Sequence, residues 1–228
     1  MLTLTYHGHS CFEICNQKHR IIIDPFLTGN PVATKKEDEI KVDFILITHG
    51  HGDHVGDAIS IAKRNDATII APHEIAVYME WQGLKAHGMG TGGGYTFDFG
   101  HVEMTPALHG SGLEQPDQKE ITYMGVAAGF LLTIDKQIIY HAGDTALFSD
   151  MKLLARKPID VALLPIGDNY TMGPEDALLA AEWLQAKQVI PMHYNTFPVI
   201  EQDPYPFVSR LKGKGKVLEV GGTIELYT

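Results

Sequence analysis

The run Phe44-Ile45-Leu46-Ile47-Thr48-His49-Gly50-His51-Gly52-Asp53-His54 decides how this chain is read. Phe44 to Ile47 are continuously apolar and read as a buried strand. Directly after them come four potential metal ligands within six residues, His49, His51, Asp53 and His54. A strand end is a rigid platform, and residues beyond it can turn inward. His49 and His51, two apart, project to one side while the chain is still extended. Gly52 permits a turn, after which Asp53 and His54 can address a second ion beside the first. Gly50 and Gly52 add no side chains that would crowd the ligands. Imidazole nitrogen and carboxylate oxygen without cysteine suit zinc, and also manganese or iron.

Outward from this run, short β-branched stretches predict strands at 2–6, 11–14, 20–24, 44–47, 68–70, 95–97, 102–105, 125–134, 137–140, 161–164, 188–190 and 216–220. Helical patterns fall at 58–64, 73–80, 148–155, 174–185 and 204–211. The helix from Pro174 is the best signalled, with proline in its first turn and Glu175 and Asp176 beside it. This order predicts two packed sheets with helices outside. An internal echo points to two related halves: Ile21-Ile22-Ile23-Asp24 with Val42–His49, and Ile138–Asp144 with Ile159–Asp168. Each half sets an aspartate just past one apolar strand and polar residues past the next. The Gly-rich segment 88–94 lacks the lysine-serine or lysine-threonine sequel of a phosphate loop and reads as a flexible loop, a candidate lid.

The histidine run resembles the hallmark His-x-His-x-Asp-His of the metallo-β-lactamase superfamily. That resemblance implies a single α/β domain over residues 1–228, a four-layer αββα sandwich of two mixed sheets with helices on the outer faces. It also implies the remaining ligands. His109 would complete a first ion with His49 and His51, Asp144 would bridge two ions, and His193 would join Asp53 and His54 on the second. Asp24 resembles the family's early aspartate, which supports the ligand loop from behind. Gly8-His9-Ser10-Cys11-Phe12 resembles a motif of the stand-alone metal-dependent hydrolases related to ascorbate-phosphate lactonase, and places His9 in the active site beside substrate. His141, Tyr194 and Asn195 are close in sequence to these ligands and are left without assigned roles.

The implied activity is hydrolysis by a hydroxide shared between two divalent ions, zinc first, with Asp53 orienting the hydroxide and accepting its proton. An ester, lactone or phosphodiester bond in a small molecule would be cut. A phosphodiesterase acting on nucleotide or phospholipid-like substrates is the alternative, and a noncatalytic metal-binding protein is a third reading that the complete ligand set disfavours.

Composition narrows the partners. The 228 residues are 44% hydrophobic and 20% charged, with a formal net charge of −10, so nonspecific attraction to nucleic acid is not expected. No apolar run approaches the ~18 residues of a membrane span, and the start, Met1 to Tyr6, lacks the features of a secretory signal. A cytoplasmic enzyme, without nucleic-acid or membrane partners and able to form a homo-oligomer, is the expectation. An exported lactamase, a nuclease with a basic arm, a flavodiiron oxidoreductase and a glyoxalase-type thioesterase each need a segment not seen here. Cys11 and Cys15 are the only cysteines and are expected to be buried small hydrophobes rather than a disulfide or a zinc pair.

Overall fold

A computed structural model describes residues 1–227. The first half runs β1 (Leu2–Tyr6), β2 (Phe12–Cys15), β3 (Arg20–Ile23), β4 (Phe44–Leu46), α1 (Gly52–Val55), α2 (Ala58–Asn65), β5 (Thr68–Pro72), α3 (His73–Trp81) and β6 (Ala86–Met89). The second runs β7 (Gly94–Phe97), β8 (Gly100–Pro106), β9 (Gly112–Gln115), β10 (Glu120–Tyr123), β11 (Ala128–Ile134) and β12 (Gln137–His141). It continues through α4 (Met151–Leu154), β13 (Val161–Pro165), α5 (Pro174–Leu184), β14 (Gln188–Met192), α6 (Pro204–Ser209) and β15 (Thr223–Leu226).

Two mixed sheets result, ordered β15-β1-β2-β3-β4-β5-β6 and β14-β13-β12-β11-β8-β7, with β9 and β10 as a separate hairpin. Alternation along the strands divides the core. Ile21, Ile23 and Leu46 share one apolar cluster with Phe130, Leu132 and Ile139 of the second sheet. Ile22, Ile45 and Ile47 point the other way, onto Ile61 of α2 and Ile75 and Met79 of α3. Strand side chains alternate faces, so a continuous apolar run is what a strand covered on both sides requires. Each of these isoleucines, wholly buried, contributes about 1.5–3 kcal/mol relative to exposure. On the second sheet α5 packs on β13 and α6 on β14. The layering is the expected αββα sandwich.

The internal echo is visible in the strand pairing. β2 and β3 pair antiparallel, then β3, β4 and β5 run parallel. In the second sheet β11 and β12 pair antiparallel, then β12, β13 and β14 run parallel. Asp24 thus follows β3 as Asp144 follows the equivalent β12. The carboxyl ends of the parallel strands in both sheets face one region, where ligands bind in such sheets.

Several local expectations need correction. Residues 216–220 do not form a strand. A turn at Gly221-Gly222 is held to Tyr6 by reciprocal backbone hydrogen bonds of 2.7 and 3.0 Å. The pairing with β1 therefore falls to the alternating Thr223-Ile224-Glu225-Leu226 instead. Strands β6, β9 and β10 were not foreseen, because edge strands and a free hairpin bury too little to need an apolar run. The predicted helix at 148–155 shrinks to α4. The Gly-rich segment ends β6 and starts β7, carrying the chain from one sheet to the other, and Gly92 and Gly93 are tied to Met104 by backbone hydrogen bonds of 2.7 and 2.9 Å. It is a pinned crossover rather than a lid. Cys11 is buried as expected. Cys15 is only partly so, and burial and the adjacent Glu13 push its thiol up to about 12.

Candidate metal centre

His49, His51, Asp53, His54, His109, Asp144 and His193 converge from four strand ends, those of β4, β8, β12 and β14. His49 and His51 leave β4 extended. His51 caps α1, and its carbonyl accepts from the N–H groups of His54 and Val55 at 3.0 and 2.9 Å, which turns Asp53 and His54 to the other side. His109 follows β8 and is set beside the Asp144 loop by two contacts. Leu108 N–H donates to Thr145 Oγ1 at 3.0 Å, and Ala146 N–H donates to Leu108 O at 3.1 Å. His193 follows β14 with φ of 55°, and its N–H donates to the His9 carbonyl at 2.8 Å. His9 and Asp24 also have positive φ, 57° and 47°. Such left-handed backbone in residues other than glycine costs free energy and persists where surrounding structure enforces it, commonly at functional sites.

Two donor groups lie side by side. His49 Nε2 is 3.0 Å from His51 Nδ1, which is 3.2 Å from His109 Nε2. Asp53, His54, His193 and His9 form the second group, with ligand atoms within 4.8 Å of one another. Asp144 Oδ2 lies between the groups. It is 2.9 Å from His193 Nε2, 3.3 Å from His54 Nε2, 3.6 Å from His109 Nε2 and 4.0 Å from His49 Nε2.

Asp24 sets the tautomers behind this arrangement. Wholly buried, it accepts from Thr48 N–H at 2.8 Å, from the Thr48 hydroxyl at 2.7 Å and from His54 Nδ1 at 2.7 Å. His54 therefore carries its proton on Nδ1 and turns the Nε2 lone pair inward. The Thr48 hydroxyl, its proton committed to Asp24, can only accept from His49 Nδ1, 3.0 Å away. His49 then also turns an Nε2 lone pair inward. One carboxylate thus prepares one histidine in each donor group.

These donors fit divalent cations. His54 Nε2 and Asp144 Oδ1 are buried with no hydrogen-bond partner among the described residues, which is costly unless a ligand satisfies them. His51 Nδ1 lies 3.0 Å from His49 Nε2 and 3.2 Å from His109 Nε2, and a proton there can serve only one of them, whereas a cation among the three nitrogens would satisfy all. Burial, with His54 next, holds His49 well below the usual imidazole range, and burial also lowers His109. Burial opposes charge on His54, but Asp144, Asp24 and Asp53 outweigh it and push that ring up, so a cation binding the Nε2 lone pair would take the place of a proton there. Burial raises the Asp144 carboxyl less than His193 and His54 lower it, so it stays ionised.

His9 lies behind Asp53 and not on the pocket wall. Its ring is wholly buried, with Nε2 3.0 Å from Asp53 Oδ2 and Nδ1 2.6 Å from Thr196 Oγ1. Burial, with His193 next, lowers it to about 4, so it is a neutral ring at pH 7. Its Nε2–H can hold Asp53, but both nitrogens are engaged, which leaves neither for substrate. Thr196 carries no sequence signal for this contact. His141, left open by the sequence, accepts from Gly143 N–H at Nδ1 (3.1 Å) and donates from Nε2 to the Ser10 carbonyl (2.9 Å). It joins the loop carrying His9 to the loop carrying Asp144. Asn195 accepts from Gln202 N–H at 2.8 Å, and neither it nor Tyr194 lines the cavity.

That cavity, about 740 Å³, is lined by metal-site residues together with Phe26, Gly52, Glu114, Tyr170, Phe197, Pro198 and Val199. The glycines divide in role. A Cβ at Gly50 would lie 2.4 Å from Met124 Cβ. At Gly52 it would meet nothing within 4 Å, and no positive φ requires glycine there. Conformational freedom is needed instead at Gly56, with φ of 44° and Pro25 O 2.4 Å from a built Cβ.

Fold and donor set define a protein of the metallo-β-lactamase class. The family model described as "Beta-lactamase superfamily domain" matches residues 19–194. A UPF0173 metal-dependent hydrolase of Bacillus velezensis is 60% identical over 227 residues, covering 99% of this chain and 100% of the relative. The UPF0173 metal-dependent hydrolase YtkL of Bacillus subtilis is 59% identical over the same coverage. Among solved structures, Igni18, a metallo hydrolase of Ignicoccus hospitalis, superposes with a TM-score of 0.89 at 38% identity and covers 99% of both chains. The chain belongs to the UPF0173 metal-dependent hydrolase family of the β-lactamase superfamily.

Proposed function

We propose that this protein hydrolyses an ester or lactone bond in a small molecule, using two divalent cations, zinc first. The observation that carries the reading is the placement of Asp144 Oδ2 within 4.0 Å of histidines from both donor groups. His49, His51 and His109 would hold one ion, Asp53, His54 and His193 the other, with Asp144 shared. Bound there, the ions would lower the pKa of water towards ~7 and polarise the bond to be cut.

The chain's own groups do the rest. Asp53 faces the cavity. Burial raises its carboxyl, but His54 and the hydrogen bond from His9 hold it below the usual range. It stays ionised and orients the attacking water by accepting its hydrogen bond, and the water's proton passes to the departing alkoxide, which leaves as an alcohol. The new carbon–oxygen bond forms from water and the ester carbon–oxygen bond breaks. Ester or lactone is favoured over phosphodiester because no lysine or arginine among the described residues lines the cavity to meet the remaining negative charge of a diester.

Metal analysis of protein purified without chelator, followed by assay on aryl esters, lactones and a diaryl phosphodiester, tests the reading. About two equivalents per chain, with ester or lactone turnover lost in His51→Ala, is the expected result. Metal content unchanged by that substitution, or turnover confined to the phosphodiester, would overturn it.

A further inference from the structure

The cavity walls beyond the ligand donors are of two kinds. Phe26 and Phe197 pack against each other with ring centroids 6.2 Å apart and 30° between planes, and Pro198 and Val199 continue the same surface from the turn after Phe197. Tyr170 reaches the cavity from the loop after β13. Tyr170 and Val199 are each 55% exposed, so apolar surface faces water beside the donors. Among the described residues, one lining residue outside the donor set is charged: Glu114, exposed on β9 of the separate hairpin. No lysine or arginine shares the lining among the described residues. The hairpin tip between its strands, Pro116-Asp117-Gln118-Lys119, adds no net charge. The hairpin's base is held to the ligand loop, since Ser111 Oγ accepts from Gly50 N–H at 3.0 Å and donates to Met124 O at 3.1 Å. Glu114 is therefore carried on a segment fixed next to the donors.

We propose that the part of the substrate remote from the cleaved bond is apolar and either uncharged or cationic, and that Glu114 is the residue that discriminates by charge. This rests on the ester or lactone reading given above. Flat or branched apolar groups would shed water against Phe26, Phe197, Val199 and Tyr170. A carboxylate or phosphate at that end, away from the ions, meets the like charge of Glu114 with no lysine or arginine among the described lining residues to offset it, and an ammonium group meets an opposite charge. Across a partly solvated gap this is worth roughly fivefold in selectivity and shrinks with added salt.

The test uses the full chain loaded with zinc and three phenyl acetates whose para substituent is hydroxymethyl, carboxylate or trimethylammonium. The ratio of kcat/KM for the anion to that for the cation is measured in the wild type, Glu114→Gln and Glu114→Lys. Because the same compounds are compared across proteins, differences in intrinsic reactivity cancel. The ratio should rise roughly fivefold in E114Q and further in E114K. An equal ratio in all three proteins would overturn the role of Glu114. Binding of the three parent phenols, followed by calorimetry, reads the same selectivity without turnover. If the wild type binds two ions yet cleaves none of the esters, the ester reading fails, and the calorimetric ratio alone then decides the charge selectivity. Tyr170→Ser combined with Val199→Ser should weaken binding of the neutral phenol roughly fivefold. Unchanged binding would remove the apolar part of the proposal.

Discussion

Replacing Asp24 by alanine tests the most connected carboxylate behind the donors. The substitution removes the acceptor of three hydrogen bonds, from Thr48 N–H, the Thr48 hydroxyl and His54 Nδ1. The hydroxyl can rotate, but Thr48 N–H and His54 Nδ1–H stay buried without a partner. Two unsatisfied groups at about 1–3 kcal/mol each give about 2–6 kcal/mol, and the range for breaking a buried charged pair narrows the expected loss to about 3–5 kcal/mol. At roughly 2–4 °C per kcal/mol for a chain of this size, the melting temperature should fall by roughly 6–20 °C. His54 and His49 also lose the contacts that fix their tautomers, so both ions should bind about 10–100-fold more weakly. Zinc competition against a chromophoric chelator gives the two affinities, and calorimetry gives the melting. Thr48→Val separates the routes, since it removes the acceptor of His49 Nδ1 and leaves His54 paired with Asp24. It should weaken one ion only. If Asp24→Ala binds both ions within about threefold of the wild type and melts within about 2 °C of it, the tautomer argument is wrong.

Gly50→Ala places a methyl group 2.4 Å from Met124 Cβ in the loop between His49 and His51. It should cost about 1–3 kcal/mol and weaken zinc binding, whereas Gly52→Ala should melt as the wild type does; equal melting of the two variants would refute the distinction. Glu13 sits between His7 Nε2 at 3.0 Å and Lys35 Nζ at 3.2 Å, outside the two donor groups. Burial raises its carboxyl, but these partners outweigh it and lower the group from 4.5 to about 2. A depressed carboxylate stabilises the fold above its unfolded pKa and loses that contribution as pH falls through the folded one. Glu13→Gln should therefore lose about 3 kcal/mol at pH 7 and show a weaker pH dependence of stability between about 4.5 and 2 than the wild type. Parallel denaturation curves across that window would contradict it.

What the sequence determined by itself is the part written in local pattern. Phe44 to Ile47 read as a covered strand, because an unbroken apolar run this short suits a strand buried on both faces better than a helix. The run from His49 to His54 had to follow it as a ligand loop, because residues two apart on extended chain share a side and a turn redirects the next pair. The echo between Asp24 and Asp144 was legible for the same reason, since parallel strands end in comparable turns. Tertiary structure decided what depends on partners distant in the chain. His9 meets Thr196 and Asp53, and His141 meets Ser10, through contacts that no spacing encodes. The chain passes near Gly221 before its last strand forms, so pairing with β1 fell to Thr223–Leu226 rather than to residues 216–220. Glu114 joins the cavity only because its hairpin, too exposed to need an apolar signature, is fastened to the ligand loop at Ser111. Hydrophobic period and ligand spacing are properties of neighbours in sequence, whereas tautomer, pocket wall and charge at the mouth are properties of neighbours in space.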